Sequence, residues 1–131
     1  MGAWGSGSFD NDDAGDWVWE LADAEDTSIL EKAFSRVLEA DGLLEAPDCT
    51  IGLAAAEVVA ALRQCPAPKL PEEVATYVAR IDTPPSADLV SSALRAVERI
   101  KTKSELKELW EESDSRAEWH EAIAELEGRL R

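Results

Sequence analysis

Acidic residues near the start of the chain form its densest group of side chains that could do chemistry. Four aspartates and an asparagine share one short segment: Asp10, Asn11, Asp12, Asp13 and Asp16. Their oxygens suit a hard cation, but in a calcium loop counted from Asp10 the twelfth position, which requires a bidentate glutamate, is Leu21. The pattern therefore favours a helix start with Asp10 as N-cap and acids in the first turn, and weak cation binding is the alternative.

Glu57 is the second candidate, because only Gly52 and Glu57 interrupt the apolar residues from 51 to 62. A buried glutamate there would have a raised pKa or a specific partner, as a general acid or base does. The alternative is structural: Glu57 occupies a narrow exposed edge of its helix, or pairs with an arginine such as Arg63, Arg95 or Arg99. We favour the structural interpretation, since structural ion pairs also perturb titration.

The histidine and the two cysteines give weaker signals. His120, the only histidine, follows Trp119 and is expected to be exposed or half-buried. Cys49 and Cys65 would be about 24 Å apart on one helix, too far for a disulfide, so we expect free thiols. A Cys–His pair is compatible with the sequence, but no basic residues surround either thiol to lower its pKa. The sequence indicates no metal motif and no cofactor.

The first nine residues combine glycines with aromatic residues. Gly2, Gly5 and Gly7 allow irregular backbone, whereas Trp4 and Phe9 are large enough to favour burial. Residues 1–9 are therefore predicted to form a strap packed on the core. Trp19 falls off the apolar stripe of the first helix, so it either covers a second element such as the Trp4 strap, which we favour, or remains at the surface as a contact residue.

Helical periodicity dominates the rest of the chain. The first helix has an apolar stripe through Trp17 and Leu21. A second begins at Thr27 or Ser28, with a Ser28–Glu31 capping box, and is closed by Asp41 and Gly42. The third follows a turn and cap at Pro47 and Asp48, and runs to Leu62. Because it is apolar on nearly all sides, it is expected to be central.

Four further helices are predicted after the prolines at 66, 68 and 71. They begin at Pro71, after a Ser86 cap, at a Thr102–Glu105 capping box and at a Ser115–Glu118 capping box. No strand alternation is evident. We therefore expect an all-α fold in one domain over residues 1–131, a compact bundle or orthogonal array of about six to seven helices.

The charge balance limits the partners. The chain has 28 acidic and 13 basic residues, for a net charge of −15, which disfavours nucleic acid and anionic membrane surfaces. The sequence contains neither a long apolar span nor a recognisable signal peptide, so we expect a cytoplasmic protein.

Three segments together resemble a known bacterial family. They are the opening run MGAWGSGSFDNDDA, the run AAAEVVAAL at residues 54–62 and the run ELWEE at residues 108–112. The chain resembles, over its full length, the family catalogued as domain of unknown function 4259. The resemblance implies no activity and no site residues.

These observations favour a non-catalytic protein-interaction module, of the immunity or antitoxin type, that binds a basic protein through its acidic surface. The expected binding residues lie in the first part of the chain and in the third helix: Trp4, Asp10, Asn11, Asp12, Asp13, Asp16, Trp19 and Glu57. The alternative is a small carboxylate-dependent metal-binding protein or enzyme, which would require these acids to converge on one cleft.

Overall fold

The computed structural model describes residues 12–42, 44–66, 70–114 and 116–131. These residues form seven α-helices and no strand, which confirms the all-α prediction. The helices are α1 (Asp12–Ala22), α2 (Ser28–Leu38), α3 (Ala46–Leu62), α4 (Glu72–Ile81), α5 (Ala87–Thr102), α6 (Glu105–Glu111) and α7 (Arg116–Leu130). The predicted strap at residues 1–9 lies outside the described residues, and the single-domain assignment stays a prediction.

The central element is α3, as its apolar sequence predicts. It contacts each of the other six described helices, and almost every side chain from Cys49 to Leu62 is buried. Small residues allow this close packing. A Cβ atom placed on Gly52 would lie 2.8 Å from Cγ2 of Val37 on α2 and 3.2 Å from Cδ1 of Ile100 on α5. Glycine at position 52 therefore lets α2 and α5 approach α3 closely.

The start of α3 differs from the prediction. The helix begins at Ala46, so Pro47 and Asp48 lie in its first turn and the predicted turn and cap there is wrong. The capping side chain comes from α6: the backbone N–H of Ala46 donates to Oε1 of Glu105 at 2.8 Å. In return, the N–H of Glu105 donates to the carbonyl of Leu44 at 2.8 Å. This reciprocal pair satisfies an orphan donor that no local side chain caps.

At the other helix starts, the predicted position is correct more often than the predicted capping side chain. Ser86 caps α5 as predicted, by accepting from the N–H of Leu89. The Thr102–Glu105 box is wrong, because Thr102 is the last residue of α5 and Ser104 caps α6 by accepting from Lys107 N. The Ser28–Glu31 box is also replaced: Asp26 accepts from the N–H of Ser28.

Three remaining boundaries shift slightly or fall outside the description. The second helix ends at Leu38, four residues before Gly42, which has a positive φ of 77°. Pro71 is the N-cap of α4 and precedes its first helical residue. The predicted cap Ser115 lies outside the described residues, although α7 begins directly after it.

Tryptophans fill much of the core outside α3. Trp110 of α6 and Trp119 of α7 are buried and stack, with ring centroids 6.3 Å apart and planes inclined by 6°. Trp17 of α1 is also buried. These three tryptophans therefore anchor the core, as large aromatic side chains do when they are buried.

Candidate functional site

The outward side of α1 carries an exposed tryptophan among carboxylates. Trp19 is 69% exposed, and Asp16, Glu20 and Asp23 are exposed as well. Positions 16, 19 and 20 follow helical spacing, so these three side chains share one side of α1, and Asp23 follows in the turn directly after the helix. We call these four residues the Trp19 face. The exposure of Trp19 agrees with the alternative that it remains at the surface; its proposed cover, Trp4, lies outside the described residues.

The opposite side of α1 fixes the orientation of the Trp19 face. Ala14, Trp17, Val18 and Leu21 are buried, as the predicted stripe requires. Because these four anchor the helix to α3 and α4, rotation of α1 would expose apolar area, and Trp19 is held outward.

The fourth helix also fixes the end of α1. The guanidinium of Arg80 donates to the carbonyls of Ala22 at 3.1 Å and Ala24 at 2.5 Å. The hydroxyl of Tyr77 donates to the carbonyl of Asp26 at 2.7 Å. These bonds satisfy carbonyls at and after a helix C-terminus whose last turn contains no basic residue. The Trp19 face is thus part of a fixed element.

Predicted site residues fall into four groups. Trp4, Asp10 and Asn11 lie outside the described residues. Asp12 and Asp13 begin α1, as expected for first-turn acids, but their side chains are outside the description. Asp16 and Trp19 belong to the Trp19 face on α1, whereas Glu57 is buried in α3.

Glu57 forms an ion pair with a residue that the sequence did not suggest. Its side chain is 5% exposed, and Oε1 lies 2.7 Å from Nη2 of Arg129 on α7. The exposed-edge alternative is therefore wrong, and so are the suggested partners Arg63, Arg95 and Arg99. Burial raises the pKa of Glu57, while the hydrogen bond and positive charge of Arg129 oppose that shift. The expectation that Glu57 pairs with an arginine is confirmed, although the arginine is none of the three suggested.

The partner arginine ties the end of α3 to α7. Besides Glu57, Arg129 contacts Glu125 at 3.4 Å and donates to the carbonyl of Cys65 at 3.5 Å. Arg63 donates in the other direction, to the carbonyl of Arg131 at 2.9 Å. Glu57 therefore faces a cation that also stabilises a helix end, and Asp16 is exposed on a different helix.

The thiols and the histidine are separate from this network. Both cysteines are free, as predicted: Cys49 is buried and Cys65 is exposed. Burial raises the pKa of the Cys49 thiol, which makes it less nucleophilic at neutral pH. His120 is exposed, also as predicted, and its Nε2 lies 3.0 Å from Oε1 of Glu111. Its imidazole therefore has a carboxylate partner on α6.

Residues 12–42, 44–66, 70–114 and 116–131 contain neither a cluster of metal ligands nor a membrane-spanning helix. Within them, no group of three or more histidine, cysteine, aspartate or glutamate side chains could hold a metal ion. No helix in the same ranges is long and apolar enough to cross a bilayer.

A groove between α2, α5 and α7 was missed by the sequence analysis. It has a volume of about 460 Å³ and is lined by residues of all three helices, among them Arg95, Arg99 and Arg131. Arg95 and Arg99 are one helical turn apart, which places both on one side of α5. That spacing was a usable signal, but Arg131 is distant in sequence and directly follows α7.

Fold and surface together define an all-α protein with a central apolar helix and an acidic outer side on α1. The chain belongs to the family described as Domain of unknown function (DUF4259), whose model matches residues 2–122. This membership confirms the resemblance seen in the sequence. Comparisons with curated proteins and with solved structures found no significant match.

Proposed function

We propose that this protein is a non-catalytic interaction module that binds a basic protein through the Trp19 face. The observation that carries the proposal is the 69% exposure of Trp19 between exposed Asp16, Glu20 and Asp23. Tryptophan is the residue type most enriched among binding hot spots, and it is effective where a polar rim surrounds it.

Along the sequence, the segment that contains the Trp19 face carries only negative charge, and the fold adds the Arg80 guanidinium at its end, on the carbonyls of Ala22 and Ala24. Between residues 16 and 31 the acidic residues are Asp16, Glu20, Asp23, Glu25, Asp26 and Glu31, and the first basic residue after them is Lys32. All six acids are exposed. A predominantly negative surface accelerates encounter with an oppositely charged partner and repels acidic proteins. Because such steering is screened over about 8 Å at physiological salt, the association rate should fall as salt rises.

The fixed position of α1 supports binding without rearrangement. Buried Trp17, Val18 and Leu21 and the bonds from Arg80 hold the helix before any partner arrives. Little conformational entropy then remains to be lost on the side of this protein when the complex forms. The immunity or antitoxin form of the proposal adds that the basic partner is a toxin.

The test begins with affinity capture from native cell extract at low and high salt, followed by identification of the retained protein and measurement of its Kd. Trp19→Ala should weaken binding by about thirty-fold or more, as expected for a hot-spot residue. The matched control is Leu109→Ala on α6, because Leu109 is the other large hydrophobic residue exposed in the described ranges, at 49%.

A second pair of variants tests the charge. Asp16→Asn with Asp23→Asn should lower the association rate and its salt dependence. Glu118→Gln with Glu121→Gln changes the net charge equally, but both residues are exposed on α7, so this pair should have a smaller effect. The proposal fails if no protein is retained at low salt, or if Trp19→Ala binds the retained protein as tightly as the original chain does.

A further inference from the structure

The groove between α2, α5 and α7 is unusual because it is basic in an acidic protein. Arg95 and Arg99 of α5 line it together with Arg131, which follows α7. The groove is shallow and largely open to solvent, with a volume of about 460 Å³. Three of the 13 basic residues in a chain of net charge −15 thus meet at one concave surface.

The two carboxylates in the groove, Glu98 and Glu127, share one lysine as their partner. Nζ of Lys101 lies 3.3 Å from Glu98 and 3.2 Å from Glu127, and it donates to both oxygens of Glu127. The hydrogen bond that Lys101 donates to Glu127 is the main reason that the pKa of Lys101 is raised, which keeps this lysine charged. Because Lys101 offsets much of the two negative charges, the three arginines leave the groove positive.

The three arginines differ in how much of their bonding capacity is used. Arg99 is fixed, since its guanidinium donates to the carbonyls of Gly42 at 3.1 Å and Lys103 at 3.1 Å. Within the described part of the chain, the guanidiniums of Arg95 and Arg131 have no hydrogen-bond or ion-pair partner. The backbone of Arg131 is held, because its carbonyl accepts from Arg63 at 2.9 Å. Two guanidinium forks are therefore available at an anchored site.

The remaining lining is apolar. Leu38 at the end of α2 and Leu94 of α5 are half-buried at the groove. An inorganic anion would contact the arginines and leave these leucines exposed to water. A carboxylate with an aliphatic body would use both, because its planar head matches the guanidinium fork and its chain covers the leucines.

We infer that this groove binds a small aliphatic monocarboxylate, with Arg95 and Arg131 on the carboxylate and Leu38 and Leu94 on the hydrocarbon. The site is distinct from the Trp19 face on α1 and does not depend on the proposed protein partner. It assigns a ligand-binding role to residues that neither the sequence nor the family indicates.

Titration of the full chain with sodium hexanoate, followed by amide chemical shifts, tests this inference. The shifts should be saturable and largest around Leu38, Leu94 and Glu98. Acetate and inorganic phosphate should each bind at least about tenfold more weakly, because they lack the hydrocarbon. Hexanamide should also be at least about tenfold weaker, because it lacks the charge.

Two substitutions identify the recognising groups. Arg95→Gln and Arg131→Gln should each weaken hexanoate binding about tenfold or more. The matched control is Arg116→Gln, which makes the same charge change at an exposed position at the other end of α7. Melting curves should be similar for all three variants, because none of these side chains forms a hydrogen bond or ion pair in the described residues.

Four results would overturn the inference, and the first three are no saturable shift with hexanoate, equal binding of hexanamide, and unchanged affinity in both Arg95→Gln and Arg131→Gln. Equal binding of acetate would instead show an adventitious anion site and would also overturn it. Capture of a basic protein by the same two variants should be unaffected, which separates this test from that of the Trp19 face.

Discussion

Replacing Gly52 with alanine tests whether close approach to α3 sets the packing of the fold. The new Cβ would lie 2.8 Å from Cγ2 of Val37 and 3.2 Å from Cδ1 of Ile100. The isoleucine methyl ends a flexible side chain and can move, whereas valine is restricted at χ1. Val37 is also fully buried. The Val37 contact therefore sets the cost.

The expected magnitude combines two opposing effects. Overpacking a core costs about 1–3 kcal/mol, while glycine to alanine inside a helix gains about 1 kcal/mol. Because 2.8 Å is far inside van der Waals contact, we take the upper part of the first range. The net loss for Gly52→Ala is then about 1–2 kcal/mol in the free energy of unfolding, measured by urea denaturation.

Two further variants isolate the steric cause. Gly128→Ala makes the same change in α7, where nothing lies within 4 Å of the added atom, and it should stabilise by about 0.5–1 kcal/mol. Adding Val37→Ala to Gly52→Ala should recover part of the loss relative to the sum of the single changes, since the methyl in contact is removed. If both glycine variants were stabilised equally, the close approach at Gly52 would not exist and the argument would fail.

Two titrations extend these tests to charge. Burial raises the pKa of Glu57 in the folded protein above its ordinary value of 4.5. The contribution of Glu57 to the free energy of unfolding is therefore fully present below the pKa of the unfolded chain and declines as pH rises through the pKa of the folded protein. The decline is at most about 1.4 kcal/mol per pH unit. The stability of the original chain relative to Glu57→Gln, measured by urea unfolding at a series of pH values, should therefore fall over that window; a rise would mean that Arg129 outweighs burial. Tyr77 is the only tyrosine, and burial raises its pKa to about 12, so tyrosinate absorbance should appear near pH 12, with stability lost above pH 10 as the hydroxyl ionises. A midpoint near 10 while the protein is still folded by circular dichroism would contradict the buried position of Tyr77.

Local periodicity was sufficient to predict most of the helices and their buried faces. Trp17 and Leu21 face the core of α1, and the apolar run through Leu62 occupies the centre, because apolar side chains at helical spacing must be covered by other elements. Ser86 could also be assigned as a cap, since its hydroxyl accepts from the N–H of Leu89, only three residues away in sequence. Each of these inferences used information contained within one or two helical turns.

Contacts between segments that are distant in sequence could not be predicted from local patterns. Glu105 is 59 residues from Ala46, whose N–H it accepts, and Arg129 is 72 residues from Glu57. The sequence left open whether Glu57 was exposed, had a raised pKa or paired with an arginine, and the three arginines that it suggested were all wrong. Only the packing of α7 against α3 selects Arg129. The same limit applies to the groove, whose third arginine comes from beyond α5.

The positions of the arginines connect the stability of the fold with its candidate sites. Arg80, Arg99 and Arg129 donate to backbone carbonyls at or beyond the ends of α1, α2 and α3, and Arg63 donates to the carbonyl that follows α7. Carbonyls at helix C-termini lack intrahelical donors, and positive charge is favourable there. These four arginines are thus accounted for by the backbone of the fold, whereas the side chains of Arg95 and Arg131 are not. Arg95 and Arg131 can therefore bind a ligand without breaking hydrogen bonds to helix ends. For this reason, substituting either arginine should change ligand affinity and leave the free energy of unfolding nearly unchanged.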